Sequence, residues 1–188
     1  MIGINMFFNF VLSYYGLCGY WADDPFTYVL YLRYLGIFYF SADILMEVVI
    51  YKRYAYISHH LLTIGSLWSI KKSYPLDLVL LMCFCAESTS LVSNMRYVLK
   101  KNKYLRPEVD QVFFVYYNIS RNIAMPVIIY HFYSYPILFF SGCVIQCMTF
   151  YWTYLWLKSI RKYKYKYRAR AMREFTPKAR RRAVLEAS

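Results

Sequence analysis

The sequence predicts an all-α fold, a polytopic bundle of about six transmembrane helices around a central polar cavity. Three observations carry that expectation. Sixty per cent of the 188 residues are apolar and 22% are aromatic. The apolar residues come in long runs rather than in the alternating faces of a soluble domain, and several runs approach the roughly 20 residues that cross a bilayer. Polar and charged residues recur near the middle of those runs, where only a protein interior or a cavity accommodates them at low cost. The mean hydropathy of +0.28 is compatible with this, because tyrosine scores poorly and the C-terminal stretch is highly charged. The 23 tyrosines suit the water–lipid boundary, with an apolar ring and a wet hydroxyl.

The elements follow in order. The first span is read at 4–21; it is short, carries Asn5 and Asn9, and lacks the basic leader of a signal peptide. Asp23-Asp24-Pro25 then breaks the chain before a second span at 28–51. Lys52-Arg53 separates it from a third at 55–70, and Lys71 to Pro75 precedes a fourth at 76–99. A longer loop, Lys100 to Asp110, leads to a fifth at 111–132, and Tyr133 to Tyr135 leads to a sixth at 135–157. Residues 1–157 thus form one transmembrane domain, and 158–188 form a basic cytosolic tail.

Charge sets the orientation and the partners. The formal net charge is +13, and the tail alone holds twelve Lys/Arg against Glu174 and Glu186. With both termini cytosolic, eighteen basic residues of the links and tail lie inside, against Lys71 and Lys72 outside. A basic block directly after a span is expected to face anionic lipid head groups, not nucleic acid. The chain reads as an integral, multi-pass protein of the endoplasmic reticulum or a related endomembrane, or of a host membrane if the gene is viral.

The five cysteines do not form a disulfide framework. Cys83 and Cys85 point about 200° apart on a helix, and Cys143 and Cys147 share a face one turn apart. Both pairs are read as packing residues, with no metal site expected. No glycine-rich phosphate loop, GxSxG elbow or HExxH motif occurs, and the sequon at Asn118-Ile119-Ser120 lies mid-span, beyond the reach of a lumenal transferase.

The intramembrane polar residues are the candidate site. Glu87 and Arg121 fall near the midplanes of the fourth and fifth spans, where an isolated charge costs at least about 2.5–3.5 kcal/mol. Matching depth invites an ion pair, or a shared role in holding a polar ligand head. Asn118 and Asn122 flank Arg121, and Pro126 cannot donate to the carbonyl of Asn122, so a kink is expected there. Asp43 and Glu47 share a face of the second span; Glu47 is close enough to Lys52 to reach the interface, whereas Asp43 is deeper and needs a partner. His59 and His60, in the run AYISHHLLTIGSLWSI, supply one. A carboxylate beside an imidazole either makes a base or locks two helices together. The two histidines are about 100° apart, so one aims at the cavity, and Thr63 is within reach of either. Glu87, Ser90, Asn94 and Tyr97 make a polar stripe along the fourth span, and together these stripes imply a wet or ligand-filled interior.

The ordered set Ser41-Ala42-Asp43, His59-His60-Leu61-Leu62-Thr63, Ala86-Glu87-Ser88-Thr89-Ser90 with Asn94 and Arg96, and then Arg121 resembles the TLC-domain family. That family includes ceramide synthases and the translocating-chain-associated membrane protein. The resemblance runs from about Tyr28 to Leu157. It implies six core spans around a cavity open to lipid. In ceramide synthases the matching histidine pair belongs to the centre that transfers a fatty acyl group from coenzyme A to a sphingoid amine. Where the synthases carry His-Asp, a further Asp and then Leu-Glu, this chain has Ala86-Glu87, Ser90 and Ser93-Asn94. It is therefore nearer the small non-synthase members. Two expectations follow. One is lipid binding or membrane lipid homeostasis, with membrane lipids as partners and no cofactor; Glu87, Ser90, Asn94, Asn118, Arg121 and Asn122 are then the polar network. The other is an acyltransferase with acyl-CoA as co-substrate, in which His59 or His60 is base or acyl acceptor, Asp43 orients it, and Arg121 meets the anionic part of the substrate.

Overall fold

The computed structural model describes the backbone of residues 2–51 and 54–186, and side chains over 3–50 and 56–162. It is all-α, with no strand among the described residues. Helix α1 spans Ile2–Tyr20, α2 Pro25–Met46, α3 Tyr54–Ser69 and α4 Leu76–Lys101. Helix α5 runs from Pro107 to His131, and α6 spans Pro136–Glu186, so the basic tail continues the last helix. Lys52, Arg53 and the tail side chains beyond Lys162 lie outside the described residues, and with them the expected contact to anionic head groups.

Local chemistry accounts for the boundaries. Prolines open α2, α5 and α6, where the missing N–H has no helical partner to lose. In the first turn of α2, the Thr27 hydroxyl donates to Asp24 at 2.5 Å and holds that carboxyl below its usual range. Asp77 at the start of α4 and Lys100-Lys101 at its end complement the helix dipole. Helix α4 closes with Tyr104 N–H to Leu99 O and Lys103 N–H to Lys100 O, around Lys103 in the left-handed region at φ 63°.

Four helical segments are long and apolar enough to cross a membrane: 25–50, 76–101, 107–131 and 136–162. Helix α1, at 19 residues, and α3, at 16, do not meet that measure. At about 1.5 Å per residue α3 is shorter than a hydrocarbon core of about 30 Å. Large apolar side chains such as Phe7, Phe38, Leu45, Ile123, Phe140 and Phe150 cover the outside, while Asn9, Asp43, His60, Glu87, Thr89 and Arg121 are buried. A soluble bundle would reverse that distribution. The chain is an integral membrane protein.

Neighbouring helices follow the order α1–α4–α5–α6–α3–α2 and close back on α1. The ring order is unchanged when α1, α2 and α3 are exchanged with α4, α5 and α6. The tightest seam is α1 on α4, where a Cβ on Gly16 would lie 2.9 Å from the backbone of Leu80 and Phe84. Helix α2 also leans across the ring onto α4. Leu12, Val29, Leu32, Leu80 and Phe132 fill the half of the interior away from the chain termini. The other half is polar.

Candidate functional site

Helices α2 and α3 bring the first part of the site together. Asp43 Oδ2 lies 2.8 Å from His60 Nε2, with both side chains about nine-tenths buried. The approach is off the line of a good N–H···O bond, so it is a close contact of carboxylate and imidazole rather than an aligned hydrogen bond. Phe40 stacks on His60, with ring centroids 5.2 Å apart, and packs the imidazole in place. His59 meets Trp152 of α6 edge to face, and the two imidazole centroids are 5.3 Å apart. Nδ1 of each histidine is buried without a hydrogen-bond partner. Thr63 reaches neither ring; its hydroxyl donates to the backbone carbonyl of His59 at 2.9 Å, the usual i−4 bond of a helical threonine. Glu47 does not reach the interface. Helix α2 widens into a π-helical turn at Glu47–Tyr51, and Glu47 is 1% exposed beside the cavity.

Helices α1 and α4 supply the second part. Asn9 donates to Glu87 Oε2 at 2.6 Å and accepts from Asn94 at 3.0 Å, so one amide links two positions two turns apart on α4. Ser90 and Asn94 border the same cavity as Glu87, whereas Tyr97, the fourth residue of the expected stripe, faces outward and is exposed. At about 1.5 Å per residue Tyr97 lies roughly 15 Å along the helix from Glu87, beyond Asn94, the last residue of α4 to border the cavity.

Arg121 of α5 is the third part. Its Nε donates to Thr89 Oγ1 at 2.7 Å, and its Nη2 donates to Ala86 O at 2.7 Å and to Ser90 Oγ at 3.2 Å. The direct ion pair expected with Glu87 does not form among the described residues. On α4, residues 86, 89 and 90 turn toward α5, while Glu87 is rotated toward α1 and takes the Asn9 amide. Arg121 Nη1 has no partner. The expected kink at Pro126 takes the form of a wide turn over Ile119–Ala124, closed by Met125 N–H to Ser120 O. The proline has no N–H for the carbonyl of Asn122, and a fivefold spacing absorbs the misfit.

Asn118 and Asn122 face elsewhere. Asn122 donates to Asn118 Oδ1 at 2.7 Å and to Thr153 Oγ1 at 3.0 Å, and accepts from Gln146 at 3.4 Å. They form a separate network against α6, which leaves Gln146 Oε1 unpartnered. The expected polar set is therefore two sets, split by the 100° step between Arg121 and Asn122.

The first three parts enclose one cavity of about 370 Å³, bordered by Asn9, Asp43, His59, His60, Glu87 and Arg121 and by the rings of Tyr39, Tyr117, Trp152 and Trp156. A smaller, mainly apolar chamber of about 80 Å³ lies against it, and Phe40, His59, Glu87 and Arg121 border both. Asn9, Trp152 and Trp156 were not in the expected site set; an asparagine in an apolar helix was the available signal for the first. All five cysteines are free thiols, and no metal-holding group of three or more acidic, histidine or cysteine side chains occurs among the described residues. Chemically, the site offers a carboxylate-oriented imidazole, a second imidazole and a guanidinium around one polar space. The chain matches no family model, no curated protein and no solved structure.

Proposed function

We propose that this is a multi-pass TLC-type protein that binds membrane lipid in its interior and acts in lipid homeostasis. One observation carries the reading: a polar cavity and an apolar chamber share the walls Phe40, His59, Glu87 and Arg121, which is the shape an amphiphile requires. In this reading all six helices cross the bilayer of the endoplasmic reticulum or a related endomembrane, and both termini are cytosolic. The polar cavity, bordered by the first half of α1 and the second half of α4, then opens toward the cytosol. Accessibility tests the topology: a tag after Ser188 is cleaved by protease added to sealed microsomes, and a protected tag refutes the orientation. Co-purification tests the binding: lipid extracted from the detergent-purified protein is enriched in one class relative to the surrounding membrane, and a composition equal to the bulk refutes it.

A second reading, acyl transfer from acyl-CoA, is favoured by the approach of Asp43 to His60 inside the same cavity. His60 would act as base or acyl acceptor, with Asp43 orienting it and His59 adjacent. Expression of the chain and of its His59→Ala, His60→Ala double variant distinguishes the two. Cellular acyl-chain profiles that are identical at equal folded protein remove the enzymatic reading and leave the binding one.

A further inference from the structure

We propose that the cavity and chamber hold a single-chain amphiphile with an oxyanion head, a carboxylate or a phosphate, whose head sits on Arg121 and whose tail leaves toward the bilayer across the Ser66–Ser141 seam. This rests on the lipid-binding reading and adds the chemistry of the ligand and its path.

The head group follows from what Arg121 lacks. The side chain is 4% exposed, all three of its partners are neutral oxygens, and Nη1 has none. No carboxylate lies within ion-pair distance of it among the described residues. A buried guanidinium with no anion in ion-pair contact is costly, and the two N–H groups of Nη1 are left to donate to an oxyanion. His59 and His60 border the same cavity, and Nδ1 of each is also without a partner, so further unpartnered ring nitrogens stand nearby. Of the carboxylates that border the cavity, Asp43 faces His60, Glu87 accepts from the Asn9 amide, and Glu47 lies one turn beyond Asp43 on α2. An amine head would instead bring a second cation to Arg121.

The tail follows from the chamber. Its walls are mainly apolar, with Leu12, Leu32, Val79, Met125 and Leu138 among them, and Arg121 borders it. At about 80 Å³ it is too small for a whole long chain, so a long tail must leave it. Ser66 of α3 and Ser141 of α6 border the chamber on its inner side and an apolar groove of about 460 Å³ on the outer surface. The wall between them at this point is two small side chains joined by a single hydrogen bond of 2.7 Å. Beside it, Gly65 has open space where a Cβ would be. The groove is lined by Leu61, Leu62, Ile137 and Phe140, so a chain that passes the seam meets methylene-compatible surface.

The test uses the full-length protein in detergent and four sixteen-carbon probes: palmitate, palmitoyl lysophosphatidate, hexadecylamine and hexadecanol, titrated by native mass spectrometry. The expected result is that at least one oxyanion binds about tenfold or more tighter than both the amine and the alcohol, and the tighter of the two oxyanions names the source. Arg121→Gln is expected to erase that preference; if the variant does not fold, the wild-type series decides alone. Equal binding of all four probes, or tightest binding of the amine, overturns the oxyanion inference and leaves the lipid-binding reading standing. Binding of none overturns both. Palmitate carrying a diazirine at its methyl end is expected to label peptides of α3 and α6 around Ser66 and Ser141, and labelling confined to other helices overturns the path.

Discussion

Asn9 of α1 holds the carboxylate of Glu87 on α4 at 2.6 Å, so the deepest acidic group of the bundle is satisfied by a neutral amide and not by the guanidinium expected for it. That one contact crosses the longest helix–helix seam of the ring. Replacement by Asn9→Leu leaves Glu87 and Asn94 without the shared partner and is expected to destabilise the protein by about 1–2 kcal/mol. Adding Glu87→Leu should return part of the loss. Unfolding in detergent, followed as a double-mutant cycle, measures the coupling, and additive losses would show that the two side chains act independently.

The end of the bundle nearer the tail is held by a different cluster. Arg96 lies 2.5 Å from Asp110 Oδ1, Asp110 also accepts from the Trp156 indole at 3.2 Å, and the guanidinium sits 4.8 Å from the Trp156 ring centroid. Asp110→Ala strips a nearly buried Arg96 of its counter-charge and is expected to cost about 3 kcal/mol. Arg96→Met on the Asp110→Ala background should recover more than half. A melting temperature no higher in the double variant than in the single one would contradict this.

Two helical glycines, Gly16 in the interior and Gly65 on the outer surface, make opposite predictions for the same substitution. At Gly16 a methyl would press on the backbone of α4, which cannot rotate away, so Gly16→Ala is expected to cost about 1–3 kcal/mol. At Gly65 nothing lies within 4 Å, and Gly65→Ala is expected to be neutral or to stabilise by up to about 1 kcal/mol through helix propensity. Thermal unfolding of the two variants side by side gives the comparison. A loss at Gly65 as large as at Gly16 would contradict the close approach of α1 and α4.

At the end of α4, Lys103 occupies the left-handed position of the helix stop. A side chain there costs roughly 1–2 kcal/mol that glycine avoids. Lys103→Gly is expected to raise stability by up to about 1 kcal/mol, offset in part by the greater freedom of glycine in the unfolded chain. A lower melting temperature would show that the lysine side chain makes a compensating contact.

The all-helical architecture was readable because long apolar runs interrupted by Pro25, Pro107 and Pro136 leave few alternatives. The Asp43–His60 contact was readable for a related reason: a deep carboxylate and a deep imidazole on consecutive helices joined by a short link can hardly avoid each other. What periodicity could not supply was rotation about each helix axis. A 100° step decides that Arg121 faces Thr89 while Asn122 faces Thr153, and neither residue's type contains that information. Glu87 illustrates the same limit across elements. Matching depth with Arg121 was correct as arithmetic, but a partner on α1 with the right rotation displaced it. Glu47 shares the cavity face with Asp43 as the i,i+4 spacing expects, and that rotation turns it inward and not toward the interface that its nearness to Lys52 suggested.

The exchange relation in the ring has a consequence for how the chain is made. Each triplet of helices contributes only half of the wall, so no cavity exists while α1, α2 and α3 alone have left the ribosome. Asn9, Asp43 and His60 emerge early, and the groups from α4 that complete their surroundings come later. Arg121 emerges once Thr89 and Ser90 are already present to receive it. The last arrival is α6, which brings Ser141 to Ser66 and closes the perimeter. Biogenesis is therefore a race between insertion and exposure, in which the most polar side chains of the first half wait longest for shelter. A chain stalled before α6 would present an open, polar-lined trough to the bilayer, a surface for quality control to recognise.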